Sequence, residues 1–322
     1  EATVSLDGTQ LAVKDCTLVH PQHQAAITGV YDLSSKQVQA TLRAQGLQLD
    51  QAKQAFNLEG LNIAGKAGIY AKMSGQIDQP LIEANVSAES VRIDAEMLDK
   101  LDVNVSWDGQ RVTITNGVIK KDSGTAELSG SYDSSGEVGG VVAIRNLELS
   151  GLEILRRSSI DLKGVAALDG RISGTIAQPS FRGNLIGENI AFSNVLLGAV
   201  KGKVAWENNR LELDEFKFVK ADQNIVAFGW IAPGTEASID VQLRSERSEL
   251  ADVLKLVGAE PNFSLRGLLT GTVHLSGPLA RIEGSMTARV DRGRVANAEL
   301  DASTDTSFII ETGSDGRISL SA

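Results

Sequence analysis

Histidine, cysteine and a pair of arginines are the side chains in this chain best suited to chemistry, and their surroundings are poor for it. His20-Pro21-Gln22-His23 has the His-x-x-His spacing of a metal site. On a strand that spacing sends the two rings to opposite faces. Pro21 favours a turn and no carboxylate cluster accompanies the pair, so they read as ordinary loop histidines. His274 stands between Val273 and Leu275 and falls on the polar side of a strand by parity. Cys16, the single cysteine, reads as a small buried hydrophobe and excludes an internal disulfide or a zinc cluster built from thiolates. Asp133-Ser-Ser-Gly136 and Gly139-Gly140 read as hairpin turns. The phosphate-loop signature, with Gly-Lys followed by Ser or Thr, is absent, and no Gly-x-Ser-x-Gly elbow occurs. Arg156-Arg157 could meet anionic groups or a partner, but a solvated helix face accounts for them more simply. With no catalytic constellation, the chain is expected not to be an enzyme and to need neither metal nor cofactor.

Composition narrows the remaining classes. The chain has 322 residues, 42% of them hydrophobic but only 4% aromatic, with 32 glycines and 6 prolines. A mean hydropathy of −0.05 fits neither a disordered chain nor a bundle of membrane spans. No apolar run approaches the roughly 18 residues of a spanning helix. The net charge of −10 argues against nucleic acid as a partner, because phosphate neutralisation needs clustered Lys and Arg.

The elements that would position any site repeat about every hundred residues. Ile63-Ala64-Gly65 returns as Leu162-Lys163-Gly164 and Leu265-Arg266-Gly267. Ten residues after each glycine stands a Ser-Gly pair: Ser74-Gly75, Ser173-Gly174 and Ser276-Gly277. Val105-Ser106-Trp107-Asp108 likewise returns as Val204-Ala205-Trp206-Glu207. The phase gives repeats over 1–103, 104–202 and 203–302, with 303–322 opening another. The chain is therefore read as a fragment whose targeting segments lie outside it. A stacked repeat offers one surface many times, which suits an extended ligand or partner.

Within a repeat, apolar and polar residues alternate. Leu101-Asp-Val103-Asn-Val105-Ser-Trp107 leads into Asp108-Gly109, a hairpin signal, and Val112-Thr-Ile114 follows. Asp50, Ser150 and Ser248 stand where N-caps of short helices are expected. Behind Ser248, residues Leu250, Val253, Leu254 and Val257 form a helical stripe stopped by Gly258; behind Asp50 the stripe is Ala52, Ala55 and Phe56. The count is roughly eight or nine strands per repeat, and some 25 strands would make a sheet on the order of 120 Å long. The fold class expected is all-β with a few short helices: a long, curved, mainly antiparallel sheet forming an open hydrophobic groove.

Parity assigns the groove floor. In the first repeat it comprises Ile69, Met73, Ile77, Ile82, Val86 and Val103. Val105, Ile114, Leu168, Ile172, Ile176 and Leu185 continue it in the second, and Val204, Ile239, Val241, Val273, Leu275 and Met286 in the third. Trp107 and Trp206, in phase with the floor at strand ends, are expected at its rim.

These landmarks carry a family resemblance. Gly65-(x9)-Gly75-Gln-Ile-Asp-Gln-Pro80, matched by Gly164-(x9)-Gly174-Thr-Ile-Ala-Gln-Pro179, resembles the AsmA-like and TamB-like proteins of double-membraned bacteria, as do the alternating strands that lead to Ile93 and Ile190. The third repeat departs, since Pro278 directly follows Gly277. The resemblance implies a periplasmic protein anchored in the inner membrane, with a U-shaped sheet, the β-taco, whose aliphatic concave face lets phospholipids move between the two membranes. It also implies an outer-membrane barrel of the barrel-assembly family as a partner. The floor residues would then hold acyl chains. Alternatives are an assembly module offering its strand edges or apolar face to outer-membrane proteins or autotransporters, and a surface adhesin or β-helical passenger. The hundred-residue period disfavours the latter.

Overall fold

The computed structural model describes residues 2–20, 23–51, 62–157, 161–192, 195–221, 223–232, 237–256, 265–278, 281–295, 298–299, 304–312 and 318–321. The chain is all-β with a few short helices, and its antiparallel sheet is not closed. It divides into two compact units, Glu1–Leu147 with Arg171–Ala177, and Glu148–Gly170 with Gln178–Ala322.

The first unit is a meander. Its strands are β1 (Thr3–Asp7), β2 (Gln10–His20), β3 (His23–Asp32), β4 (Gln37–Gln48), β5 (Ile63–Gln76) and β6 (Gln79–Ile93). They continue with β7 (Glu96–Trp107), β8 (Arg111–Lys121), β9 (Gly124–Asp133) and β10 (Val138–Glu148). Each pairs antiparallel with the next. Most of the joints are short, which favours antiparallel neighbours.

After a 3₁₀ turn at Leu149–Gly151 come α1 (Glu153–Arg157) and β11 (Leu162–Gly174). The second meander runs through β12 (Pro179–Phe192), β13 (Val195–Glu207), β14 (Arg210–Lys220), β15 (Gln223–Ala232) and β16 (Ser238–Glu249). Then follow α2 (Leu250–Leu256), β17 (Leu265–Pro278), β18 (Glu283–Val295), β19 (Ala298–Glu299), β20 (Thr304–Thr312) and β21 (Ile318–Ser321).

The landmark triplets begin β5, β11 and β17, so a repeat holds six strands and one short helix, not the eight or nine expected. The difference lies in strand length. These strands run to as many as 15 residues, well beyond the usual five or six. The landmark glycines have φ of 137°, 120° and 145° at Gly65, Gly164 and Gly267, and 98°, 99° and 107° at Gly75, Gly174 and Gly277. Only glycine adopts such values without strain. At Gly164 a Cβ would also come within 2.8 Å of the Glu188 carbonyl oxygen.

Bulges interrupt several of the strands. Asp15, Glu215 and Arg247 have φ of 54°, 48° and 55°, and each lies where one strand carries an extra residue against its partner. A bulge bends the strand and shifts its side-chain parity by one. In β14, Leu211 and Leu213 face the same way as Phe216 and Phe218 because Glu215 is the extra residue between them.

Aspartates fasten three of the turns. Asp133 Oδ1 accepts from the Ser135 hydroxyl and from the backbone N–H groups of Ser135 and Glu137. Asp108 accepts from the N–H groups of Arg111 at 2.8 Å and Gln110 at 3.0 Å. Asp32 does the same with Ser34 and Ser35. These donors hold all three carboxyls below the usual carboxylate range, led by the Ser34 hydroxyl at Asp32, the Arg111 N–H at Asp108 and the Ser135 hydroxyl at Asp133.

Several sequence expectations need correction. Gly139 and Gly140 lie within β10, not in a turn. Gly140 faces Gly130 across the pair, where a Cβ would meet the Ser129 carbonyl oxygen at 2.6 Å. Ser150 lies inside the 3₁₀ turn, whose N-cap is Glu148. Ser248 is the penultimate residue of β16, and its hydroxyl is buried without a partner. Asp50 falls inside the helical residues 49–51. At Ser248 strand pairing runs past the expected cap, whereas at Asp50 and Ser150 the helical turn begins earlier, at Leu49 and Leu149. Ala52, Ala55, Phe56, Val257, Gly258 and the repeat opening at 315–317 lie outside the described residues.

Strain at the landmark glycine gives a sharp expectation. Gly164→Ala should destabilise the chain by about 2 kcal/mol or more, because φ strain and a backbone clash add. Gly109→Ala, with nothing within 4 Å of its new Cβ, should cost about 1 kcal/mol. Urea denaturation midpoints test the ranking, and equal shifts would refute it.

Candidate functional site

The register of the strands defines one apolar face in each unit. In the first unit a row of directly opposed residues runs Ala44, Ile69, Val86, Val103, Gly117, Leu128. The next row runs Leu42, Ala71, Ala84, Val105, Ile114, Gly130, and the row beyond it Ala40, Met73, Ile82, Trp107, Val112, Tyr132. Three apolar rows, two of aliphatic residues and glycine and an outer one that also holds Trp107 and Tyr132, thus cross six strands. On the other face Lys72 opposes Glu83, Glu83 opposes Ser106, and Asn85 binds Asp102 at 2.9 Å and Asn104 at 3.1 Å.

Ile69, Met73, Ile82, Val86, Val103, Val105 and Ile114 are all half-buried. Full burial on this face is confined mostly to small residues toward one end of the strands, where Ala67, Ala88 and Val91 form a cluster packed by Leu98 and Leu101. Neighbouring side chains shield the rest of the floor only from the flanks.

The second unit repeats the pattern with tighter packing. One row runs Gly183, Val204, Leu213, Gly229, Val241, Leu275, and another runs Phe181, Trp206, Leu211, Ile231, Ile239, Gly277. Val204 and Val241 belong to a buried cluster with Ile190, Val200, Phe216 and Ala227, against which Leu168, Leu185 and Ile239 pack. Gly183 and Gly229 open the row where a side chain would strike backbone, Gly229 meeting the Asp240 carbonyl.

A helix covers one end of this face. Leu250 and Val253 of α2 pack on Leu269, Val273, Met286 and Ala288, with Leu275 at the margin. Val273 and Met286 are each 1% exposed, so these two floor positions are sealed in this state. The helix also touches β13, and Asp252 pairs with Lys220 at the end of β14 at 2.8 Å. Both side chains are about one-third exposed, so the pair contributes on the order of 0.5 kcal/mol.

Two expected floor residues are not on the floor. Ile77 lies in the turn after β5 and is 43% exposed. Ile176 lies beyond β11, 62% exposed, with its N–H bound to the Gly136 carbonyl. In both cases the alternation was extended past the strand end. Ile172 is half-buried within β11. Trp107 and Trp206 occupy the outermost of the described rows, Trp107 38% exposed beside the Asp108 turn and Trp206 half-buried between Phe181 and Leu211.

Parity counting missed several floor members. Phe216, Phe218 and Ile119 lie beyond bulges that reverse parity, and Phe181, Leu211, Leu243 and Ala227 belong to runs not followed to their ends.

The polar candidates fall elsewhere. His20 and His23, the last residue of β2 and the first of β3, are register partners with rings stacked 4.2 Å apart, not on opposite faces. Pro21 and Gln22 lie outside the described residues. His274 is on the polar face, its Nε2 2.9 Å from Asp240 Oδ1. Cys16 is half-buried opposite Ile27. Arg156 and Arg157 are exposed and pair with Glu153 at 2.6 Å and 3.2 Å. These guanidiniums hold the Glu153 carboxyl below its usual range, Arg156 first. No group of three or more metal-ligating side chains occurs among the described residues.

No family model, curated protein or solved structure matches this chain. What the two faces can do therefore rests on their own geometry. An aliphatic face of this width accepts apolar chains and offers no directional contact to select among them.

The α2 contact is separable from the sheet. Leu250→Ala should cost about 2–4 kcal/mol locally and accelerate amide exchange across Leu250–Leu256. Lys220→Ala should accelerate it far less. Unchanged α2 exchange in Leu250→Ala would show that the helix does not depend on this packing.

Proposed function

We propose that this chain is part of a non-enzymatic lipid conduit that holds phospholipid acyl chains against its apolar face while head groups stay in water. The observation that carries this reading is the set of unbroken aliphatic rows of the first unit, half-exposed from β4 to β9. Apolar surface left in water costs about 25 cal/mol per Å². A face of this extent calls for a covering, and acyl chains supply one without specific contacts.

The floor chemistry supports a mobile ligand. Val, Ile, Leu, Ala and Gly dominate the rows, giving a smooth surface on which no single position binds tightly. In the second unit, taken by itself, the apolar face is tightly packed and partly covered by α2. The glycine and Ser-Gly landmarks and their resemblance to AsmA-like and TamB-like proteins extend the proposal. On that reading the chain works in the periplasm, between inner and outer membranes, as part of a protein anchored in the inner one and partnered by an outer-membrane barrel.

Photo-crosslinking in cells tests this reading. A benzophenone side chain at Val103 or Ile114 should yield phospholipid adducts, at least several-fold above those from Lys72 or Glu83 on the polar face. Equal yields from both faces would contradict the conduit. Polypeptide adducts in place of lipid at Val103 and Ile114 would replace it with an assembly role for outer-membrane proteins.

A further inference from the structure

The polar face of the second unit holds a cluster of cations that the lipid floor does not use. Lys201 of β13 and Lys217 of β14 are direct register partners, so two ammonium groups project side by side from one face. Lys203 follows on the same face opposite Asn184 of β12. Like charges directly opposed across an antiparallel pair are destabilising. The usual remedy is an intervening carboxylate, and among the described residues none lies within ion-pair distance of Lys201 or Lys217. The nearest bridge is between Lys203 and Asp214, at 4.0 Å.

Lys201, Lys203, Lys217 and Asn184 line an open depression of about 350 Å³, which Asp214 and Glu215 also line. Beyond Lys217 the same row continues through Val226 to Arg244, which adds a fourth cation nearby. In a chain of net charge −10 such a local excess of positive charge stands out.

We propose that Lys201, Lys203 and Lys217, with the Asn184 side-chain amide, form a binding site for a phosphate group on the polar face. A phosphate oxygen between Lys201 and Lys217 replaces their repulsion by two charge-assisted hydrogen bonds. The Asn184 amide is a neutral donor on the same side, and Lys203 balances the remaining charge. Asp214 and Glu215 repel the anion and limit the affinity. The phosphate can come from a lipid head group or from free phosphate in solution. The site is distinct from the apolar floor, and loss of lipid adducts at Val103 leaves it untouched.

Thermal melting of the full chain in inorganic phosphate, against chloride at equal ionic strength, tests the site. Binding to the folded state alone raises Tm, so phosphate should raise it in the native chain. The K201Q/K217Q chain should lose most of that rise, its phosphate affinity falling about tenfold. Its Tm in chloride should be no lower than that of the native chain, because a repulsive pair has been removed. A phosphate effect no larger than that of chloride, or one equal in both chains, overturns the proposal. Flotation with phosphatidylglycerol and phosphatidylcholine vesicles separates the two sources. Vesicle binding that inorganic phosphate competes away, and that K201Q/K217Q abolishes, identifies a head group; a phosphate-dependent Tm rise without vesicle binding identifies the free ion.

Discussion

A β-strand sends successive side chains to opposite faces, so any extra residue turns everything beyond it to the other side. Long strands with one apolar face can exist only if sequence pattern and insertions change together. That condition governs both units here. In β4, Val38, Ala40, Leu42 and Ala44 keep even parity, and Leu47 keeps the same face on odd parity because Gly46, with φ of 71°, lies between them. In β16, Val241, Leu243 and Ser245 hand over to Ser248 across Arg247. Each bulge both bends its strand and preserves its face. Substitution of a bulge residue therefore acts on an entire half-strand of burial.

The two units use the same pattern to different ends. In the first, small residues such as Ala71, Ala84, Gly117 and Gly130 alternate with Ile, Val and Met, and most of the face remains half-exposed. In the second, phenylalanines at 181, 216 and 218 add volume in successive rows and Val200, Val204 and Val241 become buried. The six-strand repeat thus sets where the face is, while side-chain volume sets how much of it stays accessible. The short helix after the sixth strand adds another control, since α2 closes over Val273 and Met286.

Much of this was legible before the structure. Alternation in β5, β6 and β7 located Ile69, Met73, Ile82, Val86, Val103 and Val105, and the Asp108-Gly109 turn fixed the β7–β8 hairpin. The landmark glycines set the repeat, while their positive φ is known only from the structure. What escaped was non-local. From Leu211 and Leu213 a two-residue count places Phe216 on the polar side, because no residue type announces the extra Glu215. A helical stripe at Leu250 and Val253 was visible, but nothing in it names Val273 and Met286 as its seat. The pairing of Lys201 with Lys217 likewise exists only once the β13–β14 register is known.

The central claim is that the half-exposed aliphatic face is covered by lipid. Quantifying phospholipid by mass spectrometry in the chain purified from a double-membraned bacterium tests it most directly, with Ile114→Asp, checked for retained strand content, as the comparison. The account predicts phospholipid bound to the native chain in near-stoichiometric amount and its loss from Ile114→Asp. A native chain free of lipid, or equal lipid on both, would contradict it.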